Sequence, residues 1–367
     1  MPITRRNFAT GIAALPIVTV VAQKMQAQTP MPDTPKTSAK ATQRRRTIDF
    51  HAHMLEEEVL RRAEGKTVLS GYGSNAHGGT RAVNEATLQK MLDPQRQLED
   101  MDRRGIDMNV VSSATVIQGT SWADPQTDLV LNKRCNDRVA DWVVNHPSRF
   151  VGSFTLPLQD INLALAEMER AVKQLGLRVA NLCTQYQGAY IGEARYRPFW
   201  EAANELDVIV WIHPDGIRDL WFQKFGMWNS IGQSIEEAKV MASIIYEGVV
   251  EKFPNLKIVI SHGGGYAPHN MGRMDRNVLN RPDSMVNITR KPSEYLRSFY
   301  YDTCLFDPTI LAALIQRVGA DRLVMGSDYP VGDSDPIGFI QKCPGLTSED
   351  TAMLTGGTAS KLLGLSA

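Results

Sequence analysis

Short runs rich in β-branched and aromatic residues alternate, from Thr47 onward, with stretches whose apolar residues recur every three or four positions. The short runs are typical of buried strands, and the longer stretches are typical of amphipathic helices. The predicted strands are Thr47–His53, Met108–Ser112, Phe150–Leu156, Leu177–Leu182, Val208–His213, Lys257–Ser261, Phe299–Thr303 and Leu323–Ser327. The predicted helices between them are Leu129–Asn145, Ile161–Gln174, Arg197–Leu206, Ile235–Phe253 and Pro308–Val318.

Eight strands with interleaved helices predict an α/β fold, namely a (β/α)₈ TIM barrel. An open doubly wound sheet is the alternative, but no Gly-x-Gly-x-x-Gly follows an early strand and no P-loop occurs. The segment Leu55–Leu98 is too long for a simple crossover. We therefore expect it to be an insertion after strand 1 that lies over the barrel mouth.

The N-terminus follows a different pattern. Arg5 and Arg6 precede an apolar run, Ala9–Val21, which is followed by small residues that suit cleavage. Basic, then apolar, then small residues over positions 1–27 indicate a secretory signal of the twin-arginine type, with an uncleaved anchor as the alternative. We therefore expect a periplasmic protein without stable membrane association once the signal is removed.

Residues 28–46 are rich in Pro, Thr, Ser, Lys and Arg and predict a disordered linker, which leaves residues 47–367 for the barrel. The chain has 40 Lys and Arg against 40 Asp and Glu, and this balance argues against nucleic acid as a partner. Its four cysteines are widely spaced and form no Cys-x-x-Cys pair. A zinc ribbon, a dithiol redox motif and a disulfide scaffold are therefore excluded.

Polar side chains with metal-binding chemistry stand at the ends of four predicted strands. His51 and His53 end the first strand on one face, His213 ends the fifth, His262 the sixth and Asp328 the eighth. Because the carboxyl ends of barrel strands meet at one mouth, these five groups should converge there. Imidazole and carboxylate groups suit a divalent ion such as Zn²⁺, Mn²⁺ or Fe²⁺.

Three neighbouring features leave alternatives open. Asp49 lies on the same face of the first strand and is either a metal ligand or a partner that orients a histidine. His269 follows the sixth strand closely and is a candidate for substrate contact. The glycines Gly263–Gly265 either let the backbone approach a crowded site and open a helix, or form a simple tight turn.

Several segments of the chain, in order, resemble the amidohydrolase superfamily, in its aminocarboxymuconate-semialdehyde decarboxylase-like branch. The resemblance extends from about Asp49 to Leu365 and ends on Leu362-Leu363-Gly364-Leu365. The other segments are His51-Ala52-His53, Val210-Trp211-Ile212-His213-Pro214, Glu251-Lys252-Phe253-Pro254-Asn255-Leu256-Lys257, His262-Gly263-Gly264-Gly265 with Gly272-Arg273, Tyr301-Asp302-Thr303 and Gly326-Ser327-Asp328-Tyr329-Pro330.

The resemblance implies a role for each matching position. His262 would be the acid/base that does not bind the metal, Arg273 would steer a substrate carboxylate, and Trp228 would line the pocket. Dinuclear superfamily members bridge two ions with a carbamylated lysine on the fourth strand. Because Leu177–Gln185 contains no lysine, we expect a single ion, and zinc is the first choice. Relatives carry a substrate-binding arginine where this chain has Gln97. The implied metal ligands are His51, His53, His213 and Asp328.

Three functions remain open from the sequence. The leading one is a metal-dependent carboxy-lyase that removes CO₂ from a small aromatic or unsaturated carboxylic acid, with His262 or Asp328 protonating the carbon that loses CO₂. The alternative enzyme is a hydrolase of an amide, ester or lactone, in which Asp328 takes the proton. A non-catalytic sugar- or anion-binding barrel is the third. The partner is a small carboxylate in the leading case, and the resemblance implies a homodimer.

Overall fold

The computed structural model describes residues 45–67, 83–217 and 219–365, so the predicted export signal and nearly all of the predicted linker lie outside the described residues. Eight strands form one sheet in chain order, each parallel to the next. They confirm the predicted (β/α)₈ barrel. The strands are β1 (Ile48–Met54), β2 (Met108–Ser113), β3 (Phe150–Phe154), β4 (Val179–Leu182), β5 (Ile209–Ile212), β6 (Lys257–Ile260), β7 (Phe299–Asp302) and β8 (Leu323–Val324).

Helices follow most strands and pack against the outer face of the sheet. Among the described residues, no helix is both long and apolar enough to cross a membrane. The α-helices are Glu57–Ala63, Glu85–Leu92, Pro94–Arg104, Thr115–Gln118, Pro125–Asn145, Ile161–Lys173, Arg197–Glu205, Met227–Ser230, Gly232–Tyr246, Val249–Lys252, Ala267–Asn280, Pro308–Val318, Pro336–Gln341, Ser348–Ala352 and Thr358–Leu363. A short hairpin pairs Gln185–Tyr186 with Ala189–Tyr190.

Apart from shifted ends, such as a last strand that is shorter than predicted, one predicted helix is divided. The single helix expected over Ile235–Phe253 is divided at Gly248, whose φ of +73° is unfavourable for other residues. A side chain there would also meet the backbone of Asn287. The insertion expected over Leu55–Leu98 contains Glu57–Ala63 and Glu85–Leu92, but residues 68–82 lie outside the described part of the chain.

The barrel interior is closed below its mouth by large apolar side chains. Inward-facing residues such as Phe50, Val110, Val179 and Val259 form one buried cluster with Trp211. The ring of Trp211 lies 5.9 Å from that of Phe50 and 5.1 Å from that of His51. Because this packing fills the interior, a bound ligand can contact polar side chains only above Trp211, at the carboxyl ends of the strands.

The seam between the first and last strands is closed by residues next to the predicted site. The amide of Phe50 donates to the carbonyl of Met325 at 2.7 Å, and that of His53 donates to the carbonyl of Tyr329 at 2.9 Å. In return, the amide of Tyr329 donates to the carbonyl of His51 at 3.0 Å. The chain beyond β8 therefore continues along β1 and places Asp328 beside the two histidines.

Candidate metal centre

Four of the predicted groups meet at the mouth. One ligand atom from each of His51, His53, His213 and Asp328 lies within 4.8 Å of the others. The Oδ1 atom of Asp328 is 3.0 Å from Nε2 of His53 and 3.3 Å from Nε2 of His51. His53 and His213 stand at the carboxyl ends of their strands, whereas His51 lies three residues before the end of β1 and Asp328 four residues after β8.

The donor set fits a divalent cation. Within the described part of the chain, Nε2 of His51 and both ring nitrogens of His213 are buried without a hydrogen-bond partner. Buried polar atoms are normally paired, so buried ring nitrogens without a hydrogen-bond partner beside a carboxylate fit a site that binds a cation. Three imidazoles and one carboxylate are donors that a divalent transition metal accepts.

Buried partners orient the two histidines of β1. Nδ1 of His51 lies 2.6 Å from Oδ2 of Asp302, at the end of β7, and Nδ1 of His53 lies 3.0 Å from Oγ of Ser112, on β2. These contacts turn both Nε2 atoms toward the centre, as second partners of metal-binding histidines commonly do. The sequence pattern predicted no such role for Asp302 or Ser112, although both lie near strand ends.

His213 is held differently, by aromatic neighbours. Its ring centroid lies 5.0 Å from those of His51 and His53, nearly perpendicular to each. Burial, followed by the charge of His51, lowers the pKa of His213 well below its usual range. The ring is therefore neutral, which is the form that binds a metal.

His262 is fixed by a buried carboxylate that the sequence pattern did not predict. Its Nδ1 lies 2.6 Å from Oε1 of Glu237, a fully buried residue on helix Gly232–Tyr246, and its Nε2 lies 3.9 Å from Oδ2 of Asp328. Burial works against the charged ring, but Glu237 and Asp328 outweigh it and raise the pKa of His262 well above its usual range. Burial raises the pKa of Asp328, but His51, His262 and His53 outweigh it and hold that pKa well below its usual range.

The glycines after His262 make this contact possible. A side chain on Gly265, which has a φ of +57°, would begin 2.6 Å from Oε2 of Glu237. One on Gly264 would begin 2.9 Å from the ring of Tyr301. The geometry thus favours close backbone approach over a simple tight turn, and helix Ala267–Asn280 begins just beyond.

Asp49 lies behind the centre and is not in the four-residue group. Its carboxylate accepts hydrogen bonds from the amides of His51, at 3.1 Å, and Ser327, at 3.0 Å, and from the hydroxyl of Ser327. Arg104 lies 3.7 Å away on the other side. Of the two predicted alternatives, this position favours the orienting role, exerted through the backbone of the ligand-bearing segments.

The predicted substrate-binding residues lie outside the four-residue metal group. Trp228 is buried on helix Met227–Ser230, and its ring leaves no room for a side chain on Gly216. His269 and Arg273 both lie on helix Ala267–Asn280, where His269 is half-buried and Arg273 is exposed. At the usual rise per residue, Arg273 is about 9 Å along the helix from Ala267. Their contacts with a substrate remain predictions.

The side chain of Gln97 hydrogen-bonds to the backbone of β1. It is fully buried, its amide donates to the carbonyl of His53 at 3.1 Å, and its carbonyl accepts from Asn109 at 3.1 Å. Arg96 beside it is exposed and lies 3.6 Å from Asp93. Position 97 in this chain therefore stabilises the strand that carries two metal-type histidines.

Comparison with known proteins agrees with this geometry. Residues 48–365 match the amidohydrolase family. The chain belongs to that family. Among the relatives of this amidohydrolase, the 2-amino-3-carboxymuconate-6-semialdehyde decarboxylase of Dictyostelium discoideum is 31% identical over 279 residues, which cover 74% of this chain and 77% of that protein. The family predicted from the sequence is thus confirmed.

Two solved structures resemble this amidohydrolase closely. The 5-carboxyvanillate decarboxylase of Sphingomonas paucimobilis is 26% identical with a TM-score of 0.77, covering 88% of this chain and 99% of that one. The dihydroxybenzoic acid decarboxylase of Polaromonas sp. JS666 is 26% identical with a TM-score of 0.74, covering 87% and 97%. The latter contains manganese and an inhibitor, 2-nitroresorcinol. Together with the donor set, this structure supports a divalent metal as the cofactor of the present chain.

Proposed function

We propose that this amidohydrolase is a metal-dependent decarboxylase of a small aromatic or unsaturated carboxylic acid. The observation that carries the proposal is the Glu237–His262 pair, in which a buried carboxylate holds an imidazole beside three buried histidines and Asp328. Aromatic decarboxylation needs a proton donor next to a group that withdraws electrons from the substrate. The relatives described above, all decarboxylases, support the same reaction.

The cofactor would be held by His51, His53, His213 and Asp328. When bound, a divalent ion supplies Lewis acidity that draws electron density from oxygen atoms of the substrate. We propose zinc, because three imidazoles and a carboxylate suit it, with manganese and iron as the competing ions. Elemental analysis of the purified protein should give about one ion per chain. Two tightly held ions would contradict this proposal.

His262 would carry the proton. Glu237 holds Nδ1, so Nε2 faces the mouth and delivers its proton to the carbon that bears the carboxylate. A C–H bond forms at that carbon, the C–C bond then breaks, and its electron pair returns to the substrate as CO₂ leaves. Asp328, held as a carboxylate, stabilises the charged ring before transfer. Neutral His262 regains a proton from solvent.

Substrate binding is proposed for three further residues. Arg273 would attract the carboxylate, Trp228 would contact the apolar part of the substrate, and His269 would line the approach. The predicted homodimer also remains a proposal, which sedimentation of the purified protein would test.

A substrate panel tests the reaction. Protein of known metal content is incubated with dihydroxybenzoates, 5-carboxyvanillate and an unsaturated amino dicarboxylate, and also with lactones, aryl esters and aryl amides. Carbon dioxide and hydrolysis products are measured separately, with chelator-treated protein as the control. We expect metal-dependent CO₂ release from at least one acid. Hydrolysis without CO₂ release would favour the hydrolase alternative.

We also propose export to the periplasm by the twin-arginine route, supported by Arg5, Arg6 and the apolar run that follows them. The mature chain should begin between Gln23 and Pro35. Replacing both arginines with lysine should leave the protein in the cytoplasm, as read by fractionation. Normal export of the double variant would contradict the twin-arginine assignment.

A further inference from the structure

Cys304 brings a thiol to the edge of the metal centre. It lies two residues after the end of β7 and is buried, with 2% of its surface exposed. Its Sγ atom and one ring nitrogen from each of His51 and His262 all lie within 4.8 Å of one another. The decarboxylation proposed above assigns no task to this thiol.

The two oxygens of Asp328 face different neighbours. Oδ1 lies beside Nε2 of His51 and His53, whereas Oδ2 lies 3.9 Å from Nε2 of His262. An ion bound by His51, His53, His213 and Oδ1 would leave Oδ2 on the side of His262, and the thiol of Cys304 lies within 4.8 Å of the same histidine. Pairs of metal ions about 3.5–4 Å apart occur in many metalloenzymes, so a second ion could be held beside the first.

We propose that His262, Cys304 and Oδ2 of Asp328 form a second, weaker site for a thiophilic divalent cation, zinc or cadmium, and that an ion bound there inhibits the enzyme. The thiol proton of Cys304 and the Nε2 proton of His262 both leave to solvent as Sγ and Nε2 bind the ion. A sulfur ligand selects zinc or cadmium over magnesium and manganese, which prefer oxygen. Three chain ligands and the repulsion of a neighbouring cation make this site weaker than the first.

Inhibition follows from the identity of one ligand. An ion on Nε2 of His262 occupies the atom that carries the proton, so the reaction stops while the first ion remains in place. This part of the inference rests on the proposed function. Binding itself does not, because it depends only on the three side chains and can be measured without a substrate.

The test compares the wild-type protein with Cys304→Ser and with Cys183→Ser as a matched control. Cys183 is also buried, just beyond the end of β4, but it lies outside both groups of metal-type side chains found in the described part of the chain. Each protein is loaded with one Zn²⁺ per chain and titrated with Zn²⁺, Cd²⁺ or Mg²⁺. Ion content by equilibrium dialysis, the ultraviolet cadmium–thiolate band and the initial rate of CO₂ release are recorded.

We expect the wild type and Cys183→Ser to bind a second Zn²⁺ or Cd²⁺, to show the thiolate band and to lose activity, while Mg²⁺ has no effect. Cys304→Ser should keep the first ion and its basal rate, lose the band, and need at least about tenfold more Zn²⁺ for half-inhibition, the lower end of losses seen around metal sites. His262→Ala should also fail to bind the second ion.

Three results would overturn the inference. They are equal inhibition of Cys304→Ser and the wild type, an unchanged thiolate band in Cys304→Ser, and loss of the first ion from Cys304→Ser, which would make Cys304 a ligand of the primary site. If Cys304→Ser does not fold, Cys304→Ala is read in the same way. If no substrate is found, the dialysis and the cadmium band still decide whether the second site exists, separately from the proposed function.

Discussion

The histidines of β1 and the histidine after β5 reach the same centre by different means. His51 and His53 each have a hydrogen-bond partner on Nδ1, Asp302 and Ser112 respectively. Within the described residues, His213 has none on either nitrogen and is fixed by packing against neighbouring rings. One side of the site is therefore oriented by polar contacts before a cation arrives, and the other depends on steric fit and on the cation itself.

Removing the packed ligand should have the largest effect. His213→Ala deletes one donor and leaves space beside His51 and His53, so metal affinity should fall by at least about 100-fold, since even indirect partners cost 10–100-fold. Metal content and activity should fall together in elemental analysis and rate assays. His269→Ala, outside the metal group, is the control and should keep its ion.

His262→Ala separates a proton carrier from a ligand. Loss of a general acid typically costs about 10²- to 10⁴-fold in rate. We expect near wild-type metal content with kcat reduced at least about a hundredfold, the lower end of that range. Loss of the ion, as in His213→Ala, would make His262 a ligand of the primary site and pass the acid/base role to Asp328 or His269. Unchanged activity would refute the mechanism proposed here.

Asp302→Asn tests the polar side of the comparison directly. The amide keeps the shape of Asp302 but removes the charge that faces Nδ1 of His51, so metal affinity should fall by about 10–100-fold. Competition with a chromogenic chelator measures this value. An unchanged affinity would mean that packing alone orients His51, as it does His213.

Ser112→Ala should have the smallest effect. It removes one neutral hydrogen bond to Nδ1 of His53, which is weaker than the contact to a carboxylate, so we expect a loss in metal affinity of less than about tenfold. The chelator competition used for Asp302→Asn measures it. A loss larger than that of Asp302→Asn would reverse the order in which the two partners matter.

The sequence predicted the strands and the convergence of five polar residues because both follow from simple local rules. Strand ends in a barrel meet at one mouth, so His51, His53, His213, His262 and Asp328 could be grouped without coordinates, and the family resemblance then implied which four bind the metal. The same rule could have assigned Asp302 a role, since it ends β7. This rule could not identify Glu237, because Glu237 lies on a helix. Its contact with His262 also requires that position 265 has no side chain, since one on Gly265 would collide with Glu237.

The route of the chain past β8 gives metal loading a mechanical consequence. His53 and Asp328 are 275 positions apart in sequence, yet they lie on opposite sides of the seam between the first and last strands. A cation bound by both residues would therefore link the two strands that close the barrel. Since it engages only the closed form, the melting temperature should climb with free ion concentration, and the ion-free chain should open first between its earliest and its latest strand.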